Sequence, residues 1–383
     1  MAQERIRVAV IGIGNCFSSL YQGFEYYRNS AGEHIPGVMH SDIGGYRAGD
    51  IEIVAAFDVD PRKVGRRVGE AIFSAPNCAR VFQPEVPDGP VVQMGPVLDG
   101  VSDHMLQQPE EIGFRVADAA PVDVVRVLRE SRADILLNYL PVGSQEATEY
   151  YAQCAIDAGV AFLNCIPVFI ASNPVWEQKF IDAGLPLIGD DMRSQVGASV
   201  LSQVLQELAF DRGAEVEFHQ QINIGGNTDF NNMMVQTRLE SKKKSKENVI
   251  RSQNDIRNIP VPKDSLFAGP STFIPYLRDN KVAYLNLRLK GFGGAPITMD
   301  VKLSVQDSEN SAGVVIDAIR YLKVARELGV VGALRGPSAW TQKTPPEQMM
   351  YADAKFECEA LARRELTSSV RRQVRGAEDA TAS

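Results

Sequence analysis

The stretch Arg5-Ile-Arg-Val-Ala-Val-Ile-Gly-Ile-Gly14 decides the fold. Its β-branched run reads as a strand buried on both faces. The run ends in Gly12 and Gly14, and Asn15 to Arg28 continue with helical character. At such a junction a pyrophosphate can approach the main chain, and the helix N-terminus supplies N–H groups and a positive dipole. A second buried strand, Ile51-Glu-Ile-Val-Ala-Ala-Phe-Asp58, closes on an acid. A carboxylate there can accept from both ribose hydroxyls and repels the extra phosphate of NADP, so the pattern favours NAD. Two features depart from the fingerprint. Phe17 stands where the third glycine belongs, and Asp58 lies beyond the usual ~20 residues. The Gly-, His- and Tyr-rich segment from Asn29 to Asp50 reads as an insertion that explains the distance. A tight strand–helix turn without a ligand is the competing reading.

Outward from this unit, Pro61 is placed to start a helix. Residues 78–119 show little periodicity and read as loops and short strands. Alternation then resumes, with helices over 122–131, 145–158 and 174–183 and strands over 133–140, 161–166 and 186–189. Strands alternating with helices predict a parallel, doubly wound sheet. After a long helix over 196–212 the character changes. Segments 215–225, 281–291 and 297–305 alternate like antiparallel strands, separated by a lysine-rich stretch over 238–251 and a Pro-rich loop over 260–275. Residues 312–328 are helical and are expected to return to the first domain. The predicted class is therefore α/β: a Rossmann-like doubly wound parallel sheet with a second α+β catalytic and oligomerisation domain. The expected division is a cofactor domain over 1–195 completed by 312–365, a second domain over 196–311, and a frayed tail over 366–383.

The 383 residues exceed what one core usually serves. A net charge of −8 argues against a general nucleic-acid grip, which needs a basic face. The five cysteines, Cys16, Cys78, Cys154, Cys165 and Cys358, have no C-x-x-C spacing and read as reduced thiols. No signal peptide and no run near the ~18 apolar residues of a membrane helix is visible, so a cytoplasmic enzyme with no membrane partner is expected. His34, His40, His104 and His219 show no metal-ligand spacing.

Chemistry-bearing residues gather in the second half. Gly189-Asp-Asp-Met-Arg-Ser-Gln-Val-Gly197 places Asp190 and Asp191 at a strand end, the ligand-facing edge of a doubly wound sheet. Gly225-Gly-Asn-Thr-Asp229 ends another strand. In Ser241-Lys-Lys-Lys-Ser-Lys246, Lys242 and Lys246 share a helix face. Lys281 opens a strand, Asp307 precedes a helix, and Lys343 lies in Thr341-Gln-Lys-Thr-Pro-Pro346. Each has a plain structural alternative. A lysine run is usually a solvated face, and paired acids can cap a helix or neutralise Arg193. Spacing alone does not make these groups converge.

Taken together, Val10-Ile-Gly-Ile-Gly-Asn-Cys-Phe-Ser-Ser-Leu20, Ala55-Ala-Phe-Asp-Val-Asp60, Asn138-Tyr-Leu-Pro-Val-Gly143, Gly189-Asp-Asp-Met-Arg-Ser-Gln195, Ser241–Lys246 and Asp307-Ser-Glu-Asn-Ser-Ala-Gly313 resemble, in order, the motifs of bacterial myo-inositol-1-phosphate synthases. The likeness runs over roughly residues 5 to 350. It implies isomerisation of the sugar phosphate D-glucose 6-phosphate to 1D-myo-inositol 3-phosphate by oxidation, intramolecular aldol closure and reduction, with NAD recycled. It implies catalytic roles for Lys242, Lys246, Lys281, Lys343, Asp191, Asp229 and Asp307. It implies cofactor contacts at Gly12, Gly14, Asn15, Cys16, Asp58, Ala119, Tyr139 and Asp191. A homotetramer and stimulation by a monovalent or divalent cation are further implications. Arg193 departs from the lysine common in the family, and arginine cannot serve as an acid or base. A related sugar-phosphate cyclase, a net NAD-dependent dehydrogenase and an inactive NAD-binding regulator remain the alternatives.

Overall fold

The computed structural model describes residues 5–235, 251–259, 261, 265–367, 370 and 373–374. Elements are named here in chain order. The first strand, β1 (Ile6–Ile11), is followed by α1 (Asn15–Tyr26), β2 (Ile51–Asp58), α2 (Val68–Ala71), β3 (Val92–Met94), α3 (Asp103–Gln107) and α4 (Val124–Glu130). Next come β4 (Ile135–Asn138), α5 (Gln145–Ala158), β5 (Ala161–Asn164), α6 (Pro174–Ala183), β6 (Pro186–Ile188) and α7 (Ala198–Asp211). The chain continues through β7 (Glu215–Gly225), α8 (Thr228–Asn232), β8 (Leu266–Phe273), β9 (Asn280–Lys290) and β10 (Pro296–Gln306). It closes with α9 (Asp307–Glu327), β11 (Gly332–Ala333), α10 (Arg335–Thr341) and α11 (Tyr351–Ala362).

Seven strands form a parallel sheet in the order β11-β6-β5-β4-β1-β2-β3. Both faces are covered, as the unbroken apolar runs require. On one face Val8, Val10, Ile135, Leu137 and Leu163 pack under α1 and α9. On the other, Ala9, Ile11, Leu136 and Phe162 pack under α4, α5 and α6. Adjacent residues thus serve opposite cores, and each large side chain buried is worth about 1.5–3 kcal/mol. A second, four-stranded sheet runs β10-β9-β7-β8. Its inward face (Ala283, Leu285, Leu287, Leu289) packs with Ala198, Leu201 and Leu205 of α7.

Three local expectations are corrected. Pro61 does not open a helix: residues 61–65 form turns, and Gly65, at φ 85°, donates its N–H to the Val92 carbonyl. The segment read as a Pro-rich loop contains β8, and β8 pairs with β7 in parallel, so the second sheet is mixed. The helix expected from residue 312 begins at Asp307. Parts of the C-terminal tail also dock. Val370 lies in the core, and the Val331 N–H donates to the Gln373 carbonyl at 2.9 Å.

The insertion at 29–50 is tied to α9. Arg320, fully buried, pairs with Asp317 and donates to the carbonyls of His40 (2.8 Å) and Tyr46 (3.2 Å). His40 Nδ1 lies 2.5 Å from Asp317 Oδ2. Removing one member of a buried ion pair leaves an uncompensated charge, so Arg320→Met should cost about 3–5 kcal/mol. The readout is chemical unfolding of the variant beside the wild type. A loss under ~1 kcal/mol would show that the clasp carries little of the stability.

Candidate functional site

One cavity lies where the carboxyl ends of the parallel strands face the start of β9 and of α9. Its lining includes Gly12, Gly14, Asn15, Cys16, Asp58 and Tyr139 from the first sheet, and Asp229, Lys281, Asp307 and Lys343 from beyond it.

The glycine turn is shaped by close approach. At Gly12, φ is 87° and a Cβ would sit 2.6 Å from the Tyr139 carbonyl oxygen, so only glycine fits. At Gly14 a Cβ would meet nothing within 4 Å, which leaves open cavity beside the helix start. Asp58 is held by main-chain donors: Ile13 N–H reaches Oδ2 at 2.7 Å, and Val59 and Asp60 N–H reach Oδ1 at 2.7 and 2.9 Å. Asn15 Nδ2 donates to Thr228 Oγ1 at 3.2 Å, coupling the turn to α8. Phe17 packs into the core against Tyr21, with ring centroids 5.7 Å apart. Two buried polar atoms on the lining, Tyr139 Oη and Asn223 Nδ2, have no hydrogen-bond partner among the described residues. The open glycine face and these groups fit a bound dinucleotide and a polar substrate. The Cys16 thiol is pushed up to about 12, first by burial and then by the charges of Asp307, Asp279 and Asp229, so it stays protonated.

Two lysines on the cavity lining are each paired with an aspartate; Asp307 shares the lining and Asp191 lies outside it. Lys281 Nζ donates to Asp307 Oδ1 at 3.0 Å. Asn227 Nδ2 bridges Asp307 Oδ2 (3.3 Å) and Asp279 Oδ1 (3.2 Å). Asp279 is buried and also takes the Ser308 N–H at 3.0 Å and the Ser308 hydroxyl at 2.8 Å. Lys343 Nζ donates to Asp191 Oδ1 at 2.9 Å and to the Met192 carbonyl at 2.8 Å. Asp191 sits behind Lys343, with its backbone in the left-handed region at φ 63°. Asp190 has a separate task. It accepts from Asn164 Nδ2, the Ile170, Ala171 and Ser172 N–H groups and the Ser172 hydroxyl, at 2.8–3.1 Å. It therefore neither caps α7 nor neutralises Arg193.

Arg193 is buried outside the cavity lining. It donates to the Gln342 carbonyl and to Gln203 Oε1, both at 2.6 Å, and burial pushes it down to about 10. It clamps the 189–197 loop to the segment carrying Lys343, so the arginine is a structural tie here. Ala119 is exposed and outside the lining. Lys242 and Lys246 fall outside the described residues. Among the described residues no group of three His, Cys, Asp or Glu could hold a metal ion. Asn223, Asn227, Asp279 and Lys63 were not anticipated. Asn227 stands inside the Gly225–Asp229 turn, and Asp279 lies two residues before Lys281 at a strand start.

The model of the myo-inositol-1-phosphate synthase family matches residues 197–308. An inositol-3-phosphate synthase of Mycolicibacterium smegmatis is 47% identical over 93% of this chain and 97% of its own length. One from Corynebacterium glutamicum is 46% identical over 94% and 99%. The crystal structure of a myo-inositol-1-phosphate synthase-related protein from Thermotoga maritima shares the fold, with a TM-score of 0.78 at 24% identity, covering 94% of this chain and 98% of that one.

Burial, then the neighbouring charge of Asp307, pushes Asp279 up from 3.8 to about 6. Between those values the folded state binds the proton and the unfolded chain does not, so Asp279 makes stability fall as pH rises through that window. Asp279→Asn should flatten this fall, measured as unfolding midpoints from about pH 4 to 6.5. An unchanged slope would contradict the assignment.

Proposed function

Because the chain belongs to the myo-inositol-1-phosphate synthase family, we propose that it converts D-glucose 6-phosphate to 1D-myo-inositol 3-phosphate, with NAD recycled, in the cytoplasm. The observation that supports this reading is the meeting of the glycine turn with Lys281, Asp307 and Lys343 on one cavity, Asp191 holding Lys343 from outside its lining. Gly12, Gly14, Asn15, Asp58 and Tyr139 would hold the dinucleotide; when bound, it supplies a reversible hydride acceptor for the sugar carbon. All five cysteines are free thiols, in keeping with a reducing compartment.

The other residues deal with charge on the sugar. Oxidation and ring closure develop negative charge on sugar oxygens, and fixed cationic donors in a dry site stabilise it. Lys281 and Lys343 supply two such donors, each aimed by its carboxylate. Asp307 and Asp191 thereby orient the ammonium groups, and Asn227 holds Asp307 in place. Asp229 lines the same cavity at the first turn of α8. Lys242 and Lys246 complete the proposal as the proton acceptor at the C5 hydroxyl and a donor at the C1 oxygen, on family resemblance alone. A monovalent or divalent cation is proposed as an activator, read by adding ammonium, magnesium or zinc after chelation.

Residues 1–195 with 312–365 are proposed as the cofactor unit and 196–311 as the catalytic and tetramer-forming unit. The long edge strand β10 and the almost fully exposed Tyr276 and Phe292 support self-association there. Light scattering should give four times the chain mass, and a monomer mass would contradict the tetramer. For activity, the enzyme is incubated with glucose 6-phosphate and catalytic NAD and followed by phosphorus NMR. Inositol phosphate should form, and Lys281→Ala or Lys343→Ala should lower kcat about 10²–10³-fold. Steady NADH accumulation would instead indicate a dehydrogenase.

A further inference from the structure

Lys63 lies on the turn after β2, lines the cavity, and is only 4% exposed. Its nearest anion is Asp58 Oδ2, at 3.9 Å. Among the described residues Nζ makes no hydrogen bond. The ammonium therefore meets only Asp58 and whatever fills the cavity, and its three donors are open to a ligand there. Nearby cations are already engaged. Arg62 holds Asp60 and the Gly113 carbonyl, and Arg115 donates to the carbonyls of Leu106, Gln108 and Phe114. Of the three, Lys63 is the one whose charged nitrogen makes no hydrogen bond among the described residues.

Asp58 also has little capacity left. A carboxylate offers about four acceptor sites, and three are taken by the N–H groups of Ile13, Val59 and Asp60. It can then accept from one ribose hydroxyl but not comfortably from two. The second hydroxyl oxygen needs a donor, and the Lys63 ammonium stands beside Asp58 to give it. The same ammonium offsets the charge with which Asp58 would repel a phosphate on that ribose.

Resting on the NAD reading above, we propose that Lys63 is the second ribose-binding residue and sets dinucleotide selectivity. Paired with Asp58, it lets the site tolerate a 2′-phosphate. The test is titration calorimetry of the full chain with NAD and, separately, with NADP, for the wild type, Lys63→Met, Lys63→Gln and Lys63→Arg, each with its unfolding midpoint. The wild type should bind NADP within about 100-fold of NAD. The two neutral variants should weaken NAD about tenfold and NADP about 100-fold, widening the ratio by about tenfold. Lys63→Arg should preserve the ratio. An unchanged ratio in both neutral variants, or NAD binding without measurable NADP binding in the wild type, would overturn the inference. Binding of neither nucleotide by the wild type would overturn the cofactor reading itself, and the inference with it.

Discussion

A chain of buried hydrogen bonds ties together the carboxyl ends of three parallel strands. Asn138, at the end of β4, donates to Asn164 Oδ1 at the end of β5, and Asn164 donates to Asp190 just past β6. Asp190 gathers the N–H groups of the 170–172 loop. Its main chain exchanges hydrogen bonds with Thr344, 3.0 Å each way. The site depends on this constraint, because it brings Asp191 and Lys343 from distant sequence to one sheet edge. The cost is a carboxylate stripped of water, and burial outweighs its donors enough to push it up to about 6.

On the facing side the second sheet supplies the complementary half. Asp279, Asn227 and Ser308 form a buried polar knot that fixes Asp307 against Lys281. Asn15 then joins α8 to the glycine turn. Each half of the cavity thus carries an oriented lysine, and the cofactor turn lies between covalently remote segments that hydrogen bonds hold in register. Such preorganisation is what charge stabilisation in a dry site demands.

Much of this architecture was legible. The unbroken run of β1 and the Ile51–Asp58 strand showed both-face burial directly, and α6 and β7 kept their expected limits. Local pattern failed where a long-range partner decides. Residues 61–65 were drawn into turns by a main-chain bond to β3, and β8 was hidden among prolines because its pairing with β7 is non-local. At the site, Asp58 at a strand end, Lys281 at a strand start and Lys343 in the Thr341–Pro346 segment are visible as residue types. Their convergence was not, since residues far apart meet only through the Asp190 and Asp279 networks. An isolated lysine after a strand reads as solvated surface, and only the fold buries Lys63. Arg193 looked chemical by position, yet its guanidinium turns to Gln342 and Gln203.

In the proposed reaction the cavity oxidises and re-reduces the same sugar carbon around a ring closure. The most direct measurement uses glucose 6-phosphate deuterated at C5, with product analysed by mass spectrometry and NMR. Inositol phosphate should form that retains the deuterium at the original position, with no net NADH. Deuterium lost to solvent or accumulated in NADH would contradict it.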